Sequence, residues 1–501
     1  AHLDYVEIIG KKNLIIDDKQ FSFRSFDAAN EPFTSTIEYT IQNASNSSRV
    51  WNVTDPINPM QVTNQSIGTD FTFKDSGGQL KEYIVLTETD YFTPEIPADS
   101  SVPNQNLHIL QDIDYIIITQ AYLMAEAERL AEHHRINSNL DVRVIDLQEI
   151  YNEFASGSHD LTAIRDFVRH LFVNATNSEN RIKYVCLFGD ASFDFKDRIN
   201  SNNNIVPAFQ SFESFDLARS YVTDDYYGMM DDTEGSLVVT DQQDVATGRF
   251  PVTSLTEAKQ TVDKTLSYYA NTSFGDWRNK IAVIADDPDT AGEFVLQQTV
   301  ERIADDIAAN KPEFNISKIY SDAFVQQASS GGERYPDVEE AIDNAIETGS
   351  LVIDYFGHGG EDGWAGERIL EVDQIRNWRN PNTLPLMITV TCEFSRFDNP
   401  LRPTAGEFVF LNPSGGATSM ITTTREIFIS VGQRFNEVLV RKLFAFNNED
   451  FTMSQALMEM KNDPLSPRTS QRLFVQFLGD PAMKLAQPKP NIKITKMNNV
   501  D

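Results

Sequence analysis

The sequence predicts an α/β protein, with a main unit of two α/β subdomains that have mainly parallel sheets, preceded by a small β-rich domain. Three observations predict this class. Residues 1–107 contain short runs of alternating apolar and polar side chains separated by Asn, Ser, Pro and Gly, as in antiparallel sheets. Residues 108–275 alternate short apolar runs with amphipathic helices, which favours parallel strands joined by helices. Residues 276–487 repeat this alternation, and residues 488–501 resemble the beginning of a further β domain.

The β-rich region shows no long helical periodicity, so a small antiparallel sandwich is expected there. Its strands are predicted at 33–41, 50–53 and 83–86. The proline-containing segment 94–103 is expected to be a linker.

The two strand–helix series that follow have regular spacing. In the first, strands are predicted at 115–119, 142–146 and 184–189, and helices at 123–135 and 160–172. In the second, strands are predicted at 280–285, 317–320, 351–356, 386–391 and 416–421, and helices at about 291–310, 336–348, 404–411 and 430–446. Helical connections imply parallel strands covered on both faces, and reactive groups then collect at the carboxyl ends of the strands.

The composition excludes some partners. A formal net charge of −32 repels phosphates, so nucleic acid is not an expected partner. The charge suits an extracellular protein, although solubility alone would explain it equally well. No apolar stretch approaches the length of a membrane-spanning helix. If the protein is exported, its signal peptide is expected to be absent from this chain.

The most informative residues are Cys392 and His358. Cys392 directly follows the apolar run 384–391, and His358 lies in a glycine-rich turn after the apolar run 351–356. Two strands that end in this way can bring a thiol and an imidazole together, as nucleophilic catalysis requires. The amide N–H groups of Gly359 and Cys392 are candidate donors to an oxyanion, because both would lie on loops at the same crevice.

Cys186 is the other cysteine, and it lies within a wholly apolar run. Buried lone cysteines are mostly inert, and this is the interpretation for Cys186. The same inert role remains open for Cys392 on spacing alone. A Cys186–Cys392 disulfide would consume the nucleophile and is not expected.

Several motifs resemble the gingipain family of cysteine peptidases in the caspase-like clan. A strand ending in His-Gly, followed about thirty residues later by a strand ending in Cys, is typical of that clan. Further resemblances to the gingipains are the Gly-His-Gly…Trp loop at 355–364, Phe-Gly-Asp at 188–190, the segments 223–228 and 247–251, and Gly-Asp-Pro within 477–481. Together they cover residues 110–487 in order, and the resemblance implies a caspase/gingipain-like fold.

The resemblance is nearest to the branch of the family that acts as a sortase in type IX secretion. It implies an enzyme at the extracellular face of the bacterial outer membrane that removes the C-terminal signal domain of secreted cargo. It also implies contacts with other secretion components and transfer of cargo to surface lipopolysaccharide. Two alternatives stay open: a secreted degradative peptidase, and a catalytically silent scaffold of the secretion machinery.

The resemblance further implies an acid that orients His358, located just after the strand at 280–285. Asp287 is the first candidate and Asp286 the second, because the register is ambiguous by one residue. The alternative is that this Asp-Asp pair only stabilises a turn.

The sequence also offers candidates for contact with the substrate. Trp364 and Glu393 are predicted to contact the substrate, and packing in the core is the alternative for Trp364. Glu293 or Asp398 could supply an acid at the base of a specificity pocket, but neither matches the family pattern cleanly.

Catalysis is expected to require no cofactor. The resemblance implies structural calcium, and the acidic residues near 226–230 are the candidate region: Asp224, Asp225, Asp231 and Asp232. The adjacent pair His133 and His134 is expected on a solvated helix face, with no catalytic metal.

Overall fold

The computed structural model describes residues 8–17, 19–44, 48–96, 101–213, 216, 219–329 and 332–489. The chain divides into two compact units, residues 1–104 and 105–501. Because the described residues end at 489, the predicted start of a further β domain at 488–501 lies outside them, apart from 488 and 489.

The N-terminal unit is β-rich, as predicted. Its strands are β1 (Phe21–Arg24), β2 (Thr36–Ile41), β3 (Arg49–Asn52), β4 (Met60–Val62), β5 (Phe71–Ser76) and β6 (Glu82–Leu86), with one short helix, α1 (Phe26–Ala29). They form a four-stranded sheet in the order β1-β6-β3-β4 and a β2-β5 pair, with antiparallel pairing throughout. Stacked aromatic rings fill its core, for example Tyr39 on Phe73 at 4.9 Å between centroids.

The second unit contains seventeen strands within the described residues. They are β7 (Tyr115–Thr119), β8 (Val142–Asp146), β9 (Tyr184–Phe188), β10 (Phe209–Gln210), β11 (Val222–Thr223), β12 (Ala246–Phe250), β13 (Lys280–Ala285), β14 (Asn315–Tyr320), β15 (Gln327–Ser329), β16 (Gly332–Arg334), β17 (Val352–Phe356), β18 (Gly359–Gly360), β19 (Gly363–Trp364), β20 (Leu370–Glu371), β21 (Leu386–Val390), β22 (Ser419–Thr423) and β23 (Val475–Leu478).

Ten helices accompany these strands in the described part of the second unit. They are α2 (Met124–Asn137), α3 (Leu147–Phe154), α4 (Thr162–Val173), α5 (Leu255–Ser267), α6 (Val295–Asn310), α7 (Pro336–Glu347), α8 (Val372–Asn377), α9 (Ala405–Leu411), α10 (Ile429–Leu443) and α11 (Met453–Asn462). Several of them begin after a polar residue whose side chain caps the first turn. Thr404 and Glu407 form a capping box at α9, and Thr452 and Gln455 form another at α11.

One ten-stranded sheet organises this unit, in the order β14-β13-β17-β21-β22-β23-β12-β9-β7-β8. The first five strands are mutually parallel, and so are the last five. The two halves meet at β22 and β23, which pair antiparallel. Each predicted series of strands and helices thus builds one parallel half of a shared sheet, and β23 joins the first half. The predicted α/β fold with mainly parallel strands is confirmed.

The central strands are buried on both faces, as their continuous apolar runs predict. All five residues of β17 and of β21 are buried. Within β17, Ile353 and Tyr355 face one core cluster, and Val352 and Phe356 face the other. Helices α2, α5, α7, α8 and α9 cover the first face, while α3 and α4 cover one half of the opposite face and α6, α10 and α11 the other. In the described part of the chain, no helix combines the length and the apolar character needed to cross a membrane.

Candidate active site

Three neighbouring strands place an acid, an imidazole and a thiol at one edge of the sheet. Asp286 directly follows β13, His358 lies two residues after β17, and Cys392 lies two residues after β21. These strands are adjacent in the order β13-β17-β21 and run parallel, so their carboxyl ends meet at the same edge. The prediction that His358 and Cys392 occupy adjoining strand ends agrees with this arrangement.

Asp286 is the acid that holds the imidazole. Its Oδ2 lies 3.0 Å from His358 Nδ1 and also accepts the His358 backbone N–H at 3.0 Å. The Asp286 side chain is 3% exposed, whereas the imidazole is 40% exposed, so a buried carboxylate anchors a ring that reaches solvent. The hydrogen bond to Asp286 raises the pKa of His358 above its usual value, although partial burial acts in the opposite direction.

Asp287, the first candidate from the sequence, does not contact His358. Successive residues at the end of a strand point in opposite directions. The Asp287 carboxylate accepts a hydrogen bond from the Tyr335 hydroxyl at 3.1 Å instead. Burial raises the pKa of Asp287, and the neighbouring Asp286 raises it further. The order of the two candidates is therefore corrected, and Asp286 is the residue placed to orient the imidazole.

The glycine-rich turn around His358 is held by hydrogen bonds from three sides. The Tyr355 hydroxyl donates to the His358 carbonyl oxygen at 2.6 Å, and the Ala365 N–H donates to the same oxygen at 2.9 Å. The Thr391 hydroxyl donates to the Gly357 carbonyl oxygen at 2.7 Å, which ties this turn to the strand that carries Cys392. The sequence analysis did not identify these bonds, because a Tyr in an apolar strand looks like an ordinary core residue.

Cys392 is partly buried and lies in a tight turn. Its Sγ is 4.0 Å from the Ile427 carbonyl oxygen, and among the described residues no hydrogen bond joins it to His358. Burial raises the pKa of the Cys392 thiol, a backbone hydrogen bond at Ile427 acts to lower it, and Glu426 and Glu393 raise it further. A base is therefore needed to remove the proton of the thiol before the sulfur can attack.

Glu393, directly after the thiol, has a φ of 49° in the left-handed region. A non-glycine residue there stores backbone strain, a common feature of functional sites. This turn reverses the chain at once, and the Ser395 N–H donates to the Thr423 carbonyl oxygen at 3.0 Å. The sharp turn keeps the Cys392 backbone at the rim of the sheet.

The two predicted oxyanion donors are available for this role. Gly359 lies opposite Trp364 in the β18–β19 hairpin. The Ala365 N–H donates to the neighbouring His358 oxygen, so Gly359 belongs to a non-hydrogen-bonded pair, and its own N–H points away from the hairpin partner. No backbone acceptor in the described residues takes the Cys392 N–H.

Gly357→Ala is expected to lower kcat/KM by about 100-fold, because displacement of a catalytic group by about 1 Å has that cost. A Cβ at Gly357 would lie 2.5 Å from the Asp286 Cβ and closer still to the Tyr355 hydroxyl oxygen, so the acid that holds His358 must move. Gly360→Ala is the matched control, since a Cβ there meets nothing within 4 Å. Cleavage rates of the two variants test this, and equal losses would contradict it.

Trp364 is a core residue, which corrects its prediction as a substrate contact. It is completely buried, and its ring stacks on Tyr355 with centroids 4.1 Å apart and an 8° angle between the ring planes. It also lies against Phe394, two residues after the thiol. The ring therefore packs against residues in β17 and shortly after β21, in keeping with the packing alternative.

The candidate specificity acids differ in their availability. Asp398 is buried and bound at both oxygens by Arg425, at 2.8 and 2.6 Å, so its prediction as a pocket acid is corrected. Glu393 lies beside Cys392, and its carboxylate is 3.5 Å from Arg396, so it stays a candidate for substrate contact. Burial raises the pKa of Glu393, although Arg396 acts to lower it. Glu293 is partly buried and faces the His358 side of the site.

A surface cavity of about 490 Å³ opens beside the His358 turn. It is lined by Gly360 to Gly366, Arg368 and residues 370–373. Four of these residues carry a carboxylate, and one, Arg368, carries a positive charge. Arg396 and Arg402 both bind Glu361 at 3.1 Å, which links the lining of this cavity to the segment after Cys392.

In the predicted calcium region, three of the four acidic residues are paired with cationic side chains, and structural calcium stays a prediction. Arg249 binds Asp224 through two contacts of 2.7 Å, and Lys461 binds both oxygens of Asp225 at 2.7 Å. Asp232 is paired with Arg169. Two other groups in the described residues bring three possible cation ligands within 4.8 Å of one another: Asp289, Glu293 and His358; and Asp286, Asp287 and Glu367.

His134 is completely buried, which corrects the prediction of a solvated His133–His134 pair. Its Nε2 lies 2.6 Å from Asp480 Oδ2, in the Gly-Asp-Pro segment after β23. The Tyr115 hydroxyl donates to Asp480 Oδ1 at 3.0 Å. Cys186 lies nearby, free and buried, and burial raises its pKa well above the usual value. These residues hold β23 in the core.

A protein-family model and several solved structures match this chain. A model of peptidase family C25 matches residues 108–486. The chain is similar to the Arg-specific cysteine proteinase gingipain R (RgpB), with 20% identity, coverage of 75% of this chain and 78% of that chain, and a TM-score of 0.56. It is also similar to the complex of Porphyromonas gingivalis RgpB pro- and mature domains, with 18% identity, coverage of 74% and 79%, and a TM-score of 0.55.

A third similar structure is dimeric latent PorU from Porphyromonas gingivalis, with 22% identity and a TM-score of 0.56. That match covers 95% of this chain and 40% of the PorU chain, so this chain spans about two fifths of its length. No curated protein sequence matches the chain. The resemblance drawn from the sequence motifs is confirmed: the chain belongs to peptidase family C25, as a gingipain-like cysteine peptidase whose fold is similar to that of PorU.

Proposed function

We propose that this chain is the catalytic part of a sortase of type IX secretion that removes the C-terminal signal domain of cargo proteins. The observation that supports the catalytic assignment is the placement of Asp286, His358 and Cys392 on three adjacent parallel strands. A Cys-His pair alone could persist in a silent scaffold, but the buried carboxylate that anchors the imidazole is a feature a working base needs.

In the proposed reaction, His358 takes the proton of the Cys392 thiol as the sulfur attacks the scissile carbonyl carbon. The negative charge that develops on the carbonyl oxygen is stabilised by the N–H groups of Gly359 and Cys392. The tetrahedral intermediate then collapses, the C–N bond breaks, and His358 returns the proton to the leaving amine. The products are a thioester on Cys392 and the released signal domain.

A second nucleophile resolves the thioester. Water, deprotonated by His358, attacks the thioester carbonyl carbon, the C–S bond breaks, His358 returns the proton to the Cys392 sulfur, and the cargo leaves with a free carboxylate. An amine on a surface glycolipid gives an amide, and the reaction is then a transpeptidation. Asp286 keeps the Nδ1–H of the imidazole directed toward itself in both halves of the cycle, which leaves Nε2 for proton transfer.

The extent of the PorU similarity supports the sortase over a free degradative peptidase. The second unit begins only at residue 105, so a match over 95% of this chain must include much of the β-rich N-terminal unit. The RgpB match covers 75%. We therefore propose a location at the extracellular face of the outer membrane, cargo proteins as substrates, other secretion components as partners, and lipopolysaccharide as an acceptor.

Purified cargo that carries its C-terminal signal domain is expected to be cut once by the wild type, at the domain junction. Cys392→Ala should lower the rate on the order of 10⁶-fold, as removal of a nucleophile does. Cys186→Ala is the matched control, because that thiol is buried in the core and outside the site. Mass spectrometry of the new C-terminus, with and without an added amine, measures both the cut and any transfer.

The outcomes separate the alternatives. A single cut that an amine can capture supports the sortase. Cuts at many sites in unrelated denatured proteins would indicate a degradative peptidase. A wild type that leaves the cargo intact, with no thioester formed on Cys392, would overturn the enzymatic assignment in favour of a scaffold.

A further inference from the structure

Two further carboxylates, those of Asp289 and Glu293, lie beside the imidazole of His358. One ring nitrogen of His358 and one oxygen each of Asp289 and Glu293 lie within 4.8 Å of one another. Asp289 is exposed, and Glu293 and His358 are partly buried, so the group is open to ions from solvent. The reaction proposed above uses neither carboxylate.

The hydrogen bond to Asp286 resembles the one that a metal-binding histidine usually makes. Histidines that bind metals usually donate their other ring N–H to a carboxylate, which fixes the tautomer and makes the free nitrogen more basic. Here Nδ1 is bound to Asp286 at 3.0 Å, so the lone pair is on Nε2. The same carboxylate also accepts the His358 N–H, which fixes the ring on its strand end.

Glu293 is oriented as well. Its carboxylate accepts the Thr290 N–H and the Thr290 hydroxyl, each at 3.1 Å. Each carboxylate oxygen has a further lone pair, so these bonds leave Glu293 able to bind a cation. The turn that carries Asp289 and Glu293 begins directly after the Asp286–Asp287 pair, so all three ligands belong to the two adjoining strand ends.

The ligand set identifies the class of metal. One imidazole and two carboxylates match zinc, which binds these groups at about 2.0–2.2 Å and takes a fourth ligand from water. Calcium prefers six to eight oxygens, and imidazole does not suit it. Tetrahedral zinc ligands lie roughly 3.3–3.6 Å apart at those bond lengths, so ligand atoms that are up to 4.8 Å apart must move closer together, and Asp289 is exposed and free to do so.

We propose that His358, Asp289 and Glu293 form an inhibitory zinc site on the peptidase. A zinc ion on Nε2 occupies the lone pair that must accept the Cys392 proton, so the thiol cannot be activated while the ion is bound. This inference rests on the proposed role of His358 as the base. It adds a means of keeping the enzyme inactive until zinc is removed.

Zinc binding is measured on the Cys392→Ala variant, by competition between the full chain and a chromophoric chelator at a fixed pH. We expect one zinc ion per chain. Asp289→Asn and Glu293→Gln, added singly, should each weaken the affinity by about 10- to 100-fold or more, and His358→Ala should abolish binding at this site. Asp373→Asn is the matched control, since its carboxylate is 96% exposed and lies outside the group. Millimolar calcium should not displace the ion.

Unchanged affinity in both Asp289→Asn and Glu293→Gln would overturn the site, as would the absence of zinc from the Cys392→Ala variant. Zinc that binds the wild type but not Cys392→Ala would belong to the thiol and would also overturn it. Because this variant has no nucleophile, the binding result does not depend on whether the wild type cleaves cargo. If the wild type is active, zinc should inhibit it, and this inhibition should be weaker in Glu293→Gln, in parallel with the weaker zinc affinity of that variant. Zinc that binds without inhibiting the enzyme would contradict the regulatory part of the proposal.

Discussion

Asp286→Asn is expected to lower kcat/KM on the order of 10⁴-fold, the loss seen when the orienting acid of a Ser-His-Asp site becomes an amide. The asparagine amide would donate to Nδ1 and move the ring proton to Nε2, so that Nε2 could no longer accept the proton of the thiol. Asp287→Asn is the matched control, one residue away. It removes a carboxylate that contacts Tyr335 and not the imidazole, and only a small loss is expected.

The pH dependence of kcat/KM provides a second readout for the same pair of variants. Asp286 stabilises the charged imidazole, so the folded pKa of His358 lies above 6.5, and activity in the wild type should rise only as the pH passes that higher value. Without the carboxylate the pKa falls, and the acidic limb of any residual activity shifts to lower pH. A larger loss in Asp287→Asn, or an acidic limb that does not move in Asp286→Asn, would contradict this assignment.

His134→Leu is expected to reduce the free energy of unfolding of the second unit by about 3–5 kcal/mol, the cost of removing one partner of a buried ion pair. The variant leaves the Asp480 carboxylate in the core without its cationic partner, since both side chains are at most 1% exposed. His133→Leu on the same helix is the control and should have little effect. Urea denaturation can be followed by fluorescence, because Trp277, Trp364 and Trp378 all lie in this unit.

The stabilisation by this pair should depend on pH in a defined window. Burial acts to lower the pKa of His134, but Asp480 outweighs it and raises the pKa above 6.5, so its contribution is complete below 6.5 and is lost as the pH rises through the higher folded value. Burial acts to raise the pKa of Asp480, but His134 and its hydrogen bonds lower it below 3.8, so its contribution is present above 3.8 and is lost in stronger acid. The difference between wild type and His134→Leu should therefore be greatest between pH 3.8 and 6.5. A difference that is constant from pH 4 to pH 9 would rule out the charged pair as its source.

The strand ends could be predicted from the sequence because their signal is local. A buried parallel strand is a continuous apolar run, and the polar residue after it marks the edge where catalytic groups collect, which located His358 and Cys392. The choice between Asp286 and Asp287 failed for an equally local reason. A shift of one residue reverses the direction in which a side chain at the end of a strand points, and the spacing of residues in the sequence does not determine that shift.

Other features depend on partners that are distant in the sequence. Asp225 and Lys461 are 236 residues apart, and His134 and Asp480 are 346 residues apart, so neither pairing could be read from the motifs that contain them. Trp364 belongs to a motif that the sequence does reveal, but its burial depends on Tyr355 and Phe394 closing around it. Motif position thus predicted where these residues lie along the chain, and tertiary packing decided what they contact.

The position of β23 has a consequence for how the peptidase is made. This strand is the last in the described chain, yet it lies in the middle of the sheet, between β22 and β12. Until residues 475–478 have left the ribosome, the two halves of the sheet each present an unpaired inner edge, and such edges readily pair with other chains. In a nascent chain of this protein, the β12 edge is therefore open once residue 250 has been made and the β22 edge once residue 423 has been made, and both stay open until β23 pairs with them.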